Sequence, residues 1–214
     1  LMGNHQAHIF GTQMLIIDRN GIAIHSLIKP AIAPTIERGE MKEIHGIIVH
    51  QTGGSTAQSS IDSYKNPSAN GAHFLIEKDG TIYQTASLYK QTWHIGKIKA
   101  RCLLEKRCTP VELKSLQRFN PTQENKREML KKVPARFPAN QDSIGIELVG
   151  EALPRGGNIP DEKKTYQAVT SEQNNALQWL IAELTLTLRI SMSEVFRHPE
   201  VSRKNPTEAI SAKW

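Results

Sequence analysis

The chain has 214 residues, with 27 Lys and Arg against 21 Asp and Glu and a formal net charge of +6. That length suits one domain able to bury roughly 70% of the surface its unfolded chain exposes, which argues against a second domain. No stretch approaches the roughly 18 consecutive apolar residues of a membrane span, so stable membrane insertion is excluded. The basic surplus suits an anionic partner such as nucleic acid, a membrane surface or cell wall.

Residues 1–13 read as an appended remnant or flexible leader, because Leu1 is no initiator and a natural opening begins at Met14. They show no basic region followed by an apolar core and a small-residue cleavage site, so no export signal is expected. One domain is expected over 14–214. Residues 14–18 predict a first strand and 44–50 a buried one, with Pro30, Pro34 and Gly39 punctuating the loop between them. Residues 55–65 predict a helix, with Ser55 and Gln58 at capping-box spacing and Asn66-Pro67 ending it. Residues 73–77 and 81–85 flank Asp79-Gly80, a dipeptide that tolerates positive φ and favours a tight hairpin.

The segment from Lys97 to Arg136 differs in character. It carries twelve Lys and Arg against four Glu, a local surplus of eight that exceeds that of the whole chain, and it marks a basic insertion over about 97–140. Charge runs usually mean a solvated helical surface; the sharper alternative is a lobe that attracts an anionic polymer. Cys102 and Cys108 stand inside it, too far apart for a paired-thiolate zinc knuckle and without a second pair. A local disulfide and two free thiols both remain open. Further on, residues 143–149 predict another strand. Thr170 and Gln173 then form a capping box ahead of Ala176, Leu177, Leu180, Ile181, Leu184 and Leu188, an apolar stripe at helical spacing. The expected class is α/β (α+β), a central mixed sheet flanked by helices.

Three polar residues stand out. His50 ends the buried strand, His198 follows the long amphipathic segment, and Glu147 interrupts Ile144, Ile146, Leu148 and Val149. A lone His at a strand end is more often a hydrogen-bonded structural residue than a ligand. An ionised Glu in a strand covered on both faces costs several kcal/mol unless a cation or donor compensates. A catalytic zinc needs two or three imidazole, carboxylate or thiolate ligands, an open position and a nearby base, which these pieces can supply.

Five segments in order raise that possibility above the structural alternatives: Ile-Ile-Val-His-Gln-Thr at 47–52, Gly-Ala-His-Phe-Leu-Ile-Glu-Lys-Asp-Gly-Thr-Ile at 71–82, Thr-Trp-His-Ile-Gly at 92–96, Ser-Ile-Gly-Ile-Glu-Leu at 143–148, and Phe-Arg-His-Pro-Glu-Val-Ser at 196–202. Together they resemble the zinc-dependent N-acetylmuramoyl-L-alanine amidases. That family includes peptidoglycan-recycling amidases, amidase-type phage lysins and peptidoglycan-recognition proteins. The resemblance covers residues 44–208 and implies Zn2+ as cofactor, peptidoglycan as partner, and His50 and His198 as metal ligands. Ala72 stands where some members have a tyrosine, so the chain looks like the glutamate-using recycling type, with Glu147 as general base. Family members usually place an Asp or Cys ligand after the second histidine, and this chain has neither there. Of Glu200, Asn205 and Glu208, Glu208 is favoured as third ligand, since a carboxylate binds zinc readily and a neutral amide poorly.

Lys204 would then steady the oxyanion, Trp93 and His94 would wall the substrate groove, and His73 would be structural. The implied reaction is hydrolysis of the amide between N-acetylmuramic acid and L-alanine. The alternative is a non-catalytic peptidoglycan-binding module with a degenerate metal site. Synthesis in the cytoplasm and action at the periplasm or wall is the expected setting, as a lysin or as an antibacterial effector that would need an immunity protein; a cytosolic recycling enzyme is the third possibility. Nucleic acid is discounted, because no aromatic-interleaved basic motif is present.

Overall fold

The computed structural model describes residues 13–214, so the leader expected over 1–13 lies outside the described residues except for Gln13. Strands β1 (Ile16–Ile17) and β2 (Ala23–Ile24) form a small antiparallel ladder. The main sheet takes β3 (Ile28–Pro30), β4 (Gly46–Gly53), β5 (Phe74–Ile76), β6 (Ile82–Gln84), β7 (Ser143–Leu153), β8 (Thr165–Tyr166) and β9 (Val195–Arg197). Its order is β3-β6-β5-β7-β4-β9, with β8 paired to β7. The β5–β6 and β7–β8 pairs are antiparallel and the others parallel, which makes the sheet mixed as expected.

Side chains alternate across a strand, and here each face has its own task. Ile47 and Val49 of β4, Phe74 and Ile76 of β5, and Ile144, Ile146 and Leu148 of β7 join one apolar core. Helix α5 (Ser171–Leu188) covers that face through Leu177, Leu180, Ile181 and Leu184, all fully buried. Each contributes about 1.5–3 kcal/mol of transfer free energy. The helix starts at the expected capping box: Gln173 N donates to Thr170 Oγ1 and Thr170 N to Gln173 Oε1, both at 3.1 Å. Gln173 Nε2 also donates to the carbonyls of Ile76 and Val149, so one side chain starts the helix and ties it to β5 and β7. The opposite face of the sheet carries Ile48, His50, Leu75, Gly145 and Glu147.

The hairpin forms around Gly80, whose φ of +88° is the left-handed conformation the turn requires. Helix α1 (Ala57–Ser63) begins later than predicted. Its cap is Thr56, which accepts from Ser59 N, rather than Ser55. A hydroxyl one position downstream takes the same role, since threonine caps nearly as well as serine.

The basic segment folds into α2 (Arg101–Glu105), α3 (Pro110–Leu116) and α4 (Pro121–Glu128). Cys102 and Cys108 are joined in a disulfide, which settles the alternative left open by the sequence. Helix α2 lacks a side-chain cap of its own; instead the buried Glu124 and Glu128 of α4 accept from Ala100 N at 2.7 Å and Arg101 N at 3.1 Å. Arg101 reaches into the body of the protein to pair with Glu194 at 2.7 and 2.9 Å, its guanidinium lying over Phe137 and Phe196. Arg107, Lys131 and Arg136 pair with Glu105, Glu112 or Glu128, and Asp142. Part of the local surplus therefore serves to hold the lobe together. Among the described residues no helix is long and apolar enough to cross a membrane.

Candidate active site

Parallel pairing places the polar residues in one row. Glu147 of β7 and His50 of β4 are direct register partners, and Val49 pairs with Arg197 of β9, so the next residue, His198, arrives beside His50. His198 opens the short helix α6 (His198–Val201), whose first turn Glu200 caps by accepting from Arg197 N at 2.6 Å. The tail then returns over the sheet. Gln51 Oε1 accepts from Ala209 N at 2.8 Å and Gln51 Nε2 donates to the Gln167 carbonyl, which pins the preceding residue, Glu208, above β4.

His50, His198 and Glu208 meet there, all buried, with one ligand atom from each within 4.8 Å of the others. His50 Nδ1 and His198 Nδ1 are 2.9 Å apart, and Glu208 Oε1 lies 3.0 Å from His198 Nδ1 and 3.5 Å from His50 Nδ1. A tetrahedral zinc with ligands at about 2.0–2.2 Å needs donor atoms roughly 3.3 Å apart, and these three separations bracket that value. His198 Nε2 lies 3.0 Å from the Ile95 carbonyl, to which it can only donate. In the neutral ring that leaves a lone pair on Nδ1, 3.0 Å from the Glu208 carboxylate, a position in which a metal cation would be held by both.

The electrostatics agree. Burial, and next the neighbouring His198, lower the pKa of His50 to about 4 against the pull of Glu208, so the ring is neutral at physiological pH and its lone pair can ligate. Burial opposes ionisation of Glu208, but hydrogen bonding to His198 outweighs it and holds the carboxyl below its usual range. Glu147 is the converse case. Its Oε2 is enclosed and has no hydrogen-bond partner among the described residues, and burial, with Glu208 adding repulsion, pushes its pKa up to about 8. A carboxyl with its pKa raised by burial, beside a cluster able to hold a metal ion, is the arrangement a poised proton acceptor requires.

Glu147 opens onto a cleft of about 410 Å³ that is also lined by Asn70, Trp93, His94, Asn140 and Lys204. A roomier hollow bounded by Arg19, Glu37 and Tyr89 touches none of the predicted site residues. The structure brings His50, His198 and Glu208 together, sets Glu147 beside His50 in the sheet, and puts Lys204, Trp93 and His94 on the cleft wall, with His94 placed differently from Trp93. Trp93 is half-exposed on the rim with Arg38 stacked 4.8 Å from its ring. His94 is buried, with Nδ1 2.8 Å from His50 Nε2. Asn205, the competing third-ligand candidate, is turned away: its amide nitrogen bonds the carbonyls of Asp161 and Lys164, and its oxygen accepts from Thr207. Glu200 is occupied as the α6 cap. His73 is a buried staple, accepting from Gly145 N and donating to the Lys90 carbonyl.

Sequence reasoning missed Gln51, Ser143 and Asn140. Asn140 Oδ1 accepts from His94 N and Ile95 N and so fixes the loop beside the cluster. Gln51 had a signal, as a polar residue continuing a buried strand directly after His50.

Residues 40–209 match the family model described as N-acetylmuramoyl-L-alanine amidase, and the chain belongs to that family. Among solved structures, that of a selenomethionine AmpD derivative is similar over 90% of this chain and 93% of its own, with a TM-score of 0.53 at 16% identity. A point mutant of PlyL is similar over 83% and 85%, with a TM-score of 0.50 at 12% identity. AmpDh3 from Pseudomonas aeruginosa, solved with anhydromuramic pentapeptide, is matched over 89% of this chain and 60% of its own, with a TM-score of 0.49 at 21% identity. The first two likenesses extend to the fold. No curated protein matches the chain in sequence.

Proposed function

We propose that this peptidoglycan amidase is zinc-dependent, with His50, His198 and Glu208 as ligands, and that it hydrolyses the amide between N-acetylmuramic acid and L-alanine. The observation that carries the reading is the convergence of His198 Nδ1, His50 Nδ1 and Glu208 Oε1 at 2.9–3.5 Å inside a buried pocket, a donor set that suits a metal cation. Two neutral imidazoles and one carboxylate suit zinc in type and number and leave a position free. A bound zinc would supply Lewis acidity, acidifying water and polarising the amide carbonyl.

The chain's own residues do the rest. Glu147, whose carboxyl opens onto the cleft, takes the proton of the attacking water and returns it to the leaving alanine nitrogen. Lys204, on the wall of the same cleft, brings an ammonium to the developing oxyanion. Trp93 offers an apolar face at the rim for sugar or peptide.

The Cys102–Cys108 disulfide supports action in an oxidising compartment, which for this substrate is the periplasm or outer wall. A lysin, or an effector delivered into a rival cell and neutralised in the producer by an immunity protein, fits that setting better than cytosolic recycling. Zinc titration of the purified chain, together with mass spectrometry of material released from purified sacculi, tests the chemistry. One zinc per chain and free stem peptides with N-terminal alanine are expected. Wall binding without released peptide would instead leave a binding module. Lysis on periplasmic but not cytoplasmic expression tests the setting.

A further inference from the structure

We propose that His94, on the wall of the cleft, is a positioning residue: with Ser143 it forms a one-way hydrogen-bond chain that holds His50 with its proton on Nε2 and turns a bare Nδ1 toward His198 and Glu208. The inference rests on reading that trio as a metal centre, and it adds what fixes the first of the three ligands.

The direction of the chain follows from its far end. Ser143 Oγ has one proton and gives it to the Ala139 carbonyl at 2.7 Å. Toward His94 Nε2, 3.2 Å away, the hydroxyl can then only accept, so His94 carries its proton on Nε2. His94 Nδ1 is left bare, 2.8 Å from His50 Nε2, and accepts the His50 proton. The remaining nitrogen of His50 has only a lone pair, and it points at His198 Nδ1 2.9 Å away. His198 is fixed in the same sense by the Ile95 carbonyl. Both imidazoles therefore aim Nδ1 at the same point, His198 oriented by the backbone and His50 by two side chains.

The sheet makes room for this arrangement. Gly145 lies on the site face between His73 and His94, and a Cβ there would sit 2.7 Å from His94 Nδ1, the atom that receives the His50 proton. The backbone around His94 is also fixed, because Asn140 Oδ1 accepts from the N–H groups of His94 and Ile95. Both ring nitrogens of His94 are committed inward, so it offers the cleft only the carbon edge and face of its ring.

Ligand imidazoles are commonly oriented by a partner on the second nitrogen, and loss of such a partner typically costs 10–100-fold in metal affinity. The test uses the full chain with 15N-labelled histidine, first without metal. Two-bond nitrogen–proton spectra should give His50 and His94 both as Nε2–H tautomers, and a His50 proton on Nδ1 overturns the proposal. Zinc titration then compares variants. His94→Leu, which keeps bulk and removes the acceptor, should weaken zinc binding 10–100-fold and give His50 a mixed tautomer signal. His94→Gln, whose side-chain oxygen can accept and whose amide can donate to Ser143, should recover most of the affinity. Equal affinities for parent and His94→Leu overturn the proposal. Should His94→Leu fail to fold, Ser143→Ala carries the test: it should shift the His94 tautomer and weaken zinc binding, and no change in either sinks the chain. A parent that binds no zinc refutes the metal reading instead, and leaves the tautomer measurement intact.

Discussion

The sheet face that holds His50, Glu147 and His198 and the basic lobe around α2–α4 are held together by opposite means. On the sheet, register does the placing: three parallel strands with Ile47, Val49, Ile144 and Ile146 buried beneath them leave the polar row no alternative position, because a one-residue slip would turn the row into the core. The lobe has little apolar core. Helix α3 buries none of its residues, Val111 and Phe119 are both 78% exposed, and cohesion comes from Arg101–Glu194, the two buried glutamates of α4 and the disulfide. Changes in the row should therefore remove chemistry and leave the fold, whereas changes in the lobe should remove stability and leave the chemistry.

The largest effect belongs to the row. His50→Ala and His198→Ala should each bring stem-peptide release to background and abolish tight zinc binding, while circular dichroism stays that of a folded chain. Full turnover by either variant contradicts the zinc reading. Glu147→Gln should keep zinc and lose roughly 10²–10⁴-fold in turnover, since the amide keeps the shape and cannot take a proton. The same variant has a stability signature in the metal-free protein. A carboxyl raised from 4.5 to about 8 stays protonated in the folded state while the unfolded chain ionises, so the parent loses stability as pH rises between those values. The slope is on the order of 1.4 kcal/mol per pH unit, and Glu147→Gln should flatten it in urea titrations.

Glu208→Ala comes next. Removing the carboxylate leaves two neutral imidazoles, so zinc affinity should fall by roughly 10²-fold or more, while Asn205→Ala and Glu200→Ala stay near the parent. Isothermal titration of the three separates them, and an unchanged Glu208→Ala reopens the third position.

How much of this was legible in the sequence follows from the same contrast. His50 and Glu147 could be picked out because each breaks a run of apolar strand residues, and the hairpin because Asp79-Gly80 specifies its own turn. Strand order was not legible: β9 has three residues, and its pairing with β4 is set nearly 150 positions away in the chain. The placement of His94 was hidden for a related reason, since its partners Ser143 and His50 come from two other segments. Gly145 within a strand was the available clue, because a glycine there often marks a close approach. Glu208 was reached by elimination among oxygen donors and the family resemblance, as its local sequence has no periodicity to place it over β4.

In the lobe the expected effects shrink. Arg101→Ala leaves Glu194 buried without its partner and uncovers the rings of Phe137 and Phe196. Breaking a buried pair in this way costs about 3–5 kcal/mol, which urea denaturation should record, with zinc affinity per folded molecule unchanged. A fall in zinc affinity parallel to stability would mean that the lobe and the row are one cooperative unit.

The smallest effect is expected from the disulfide. Cys102 and Cys108 are only six positions apart, so the bond closes a short loop and removes little freedom from the unfolded chain. On the loop-entropy relation that is worth roughly 2 kcal/mol, less than the Arg101–Glu194 pair. Helix α2 would also keep its acceptors on Glu124 and Glu128 after reduction, because those contacts are made by α4 and not by the cysteines. Reduction with a thiol, or Cys102→Ser with Cys108→Ser, should therefore lower the urea midpoint modestly and leave zinc affinity and sacculus hydrolysis at parental levels. Loss of hydrolysis on reduction, with zinc retained, would show that the lobe helps to hold the polymer against the cleft and would end the strict division between the two regions.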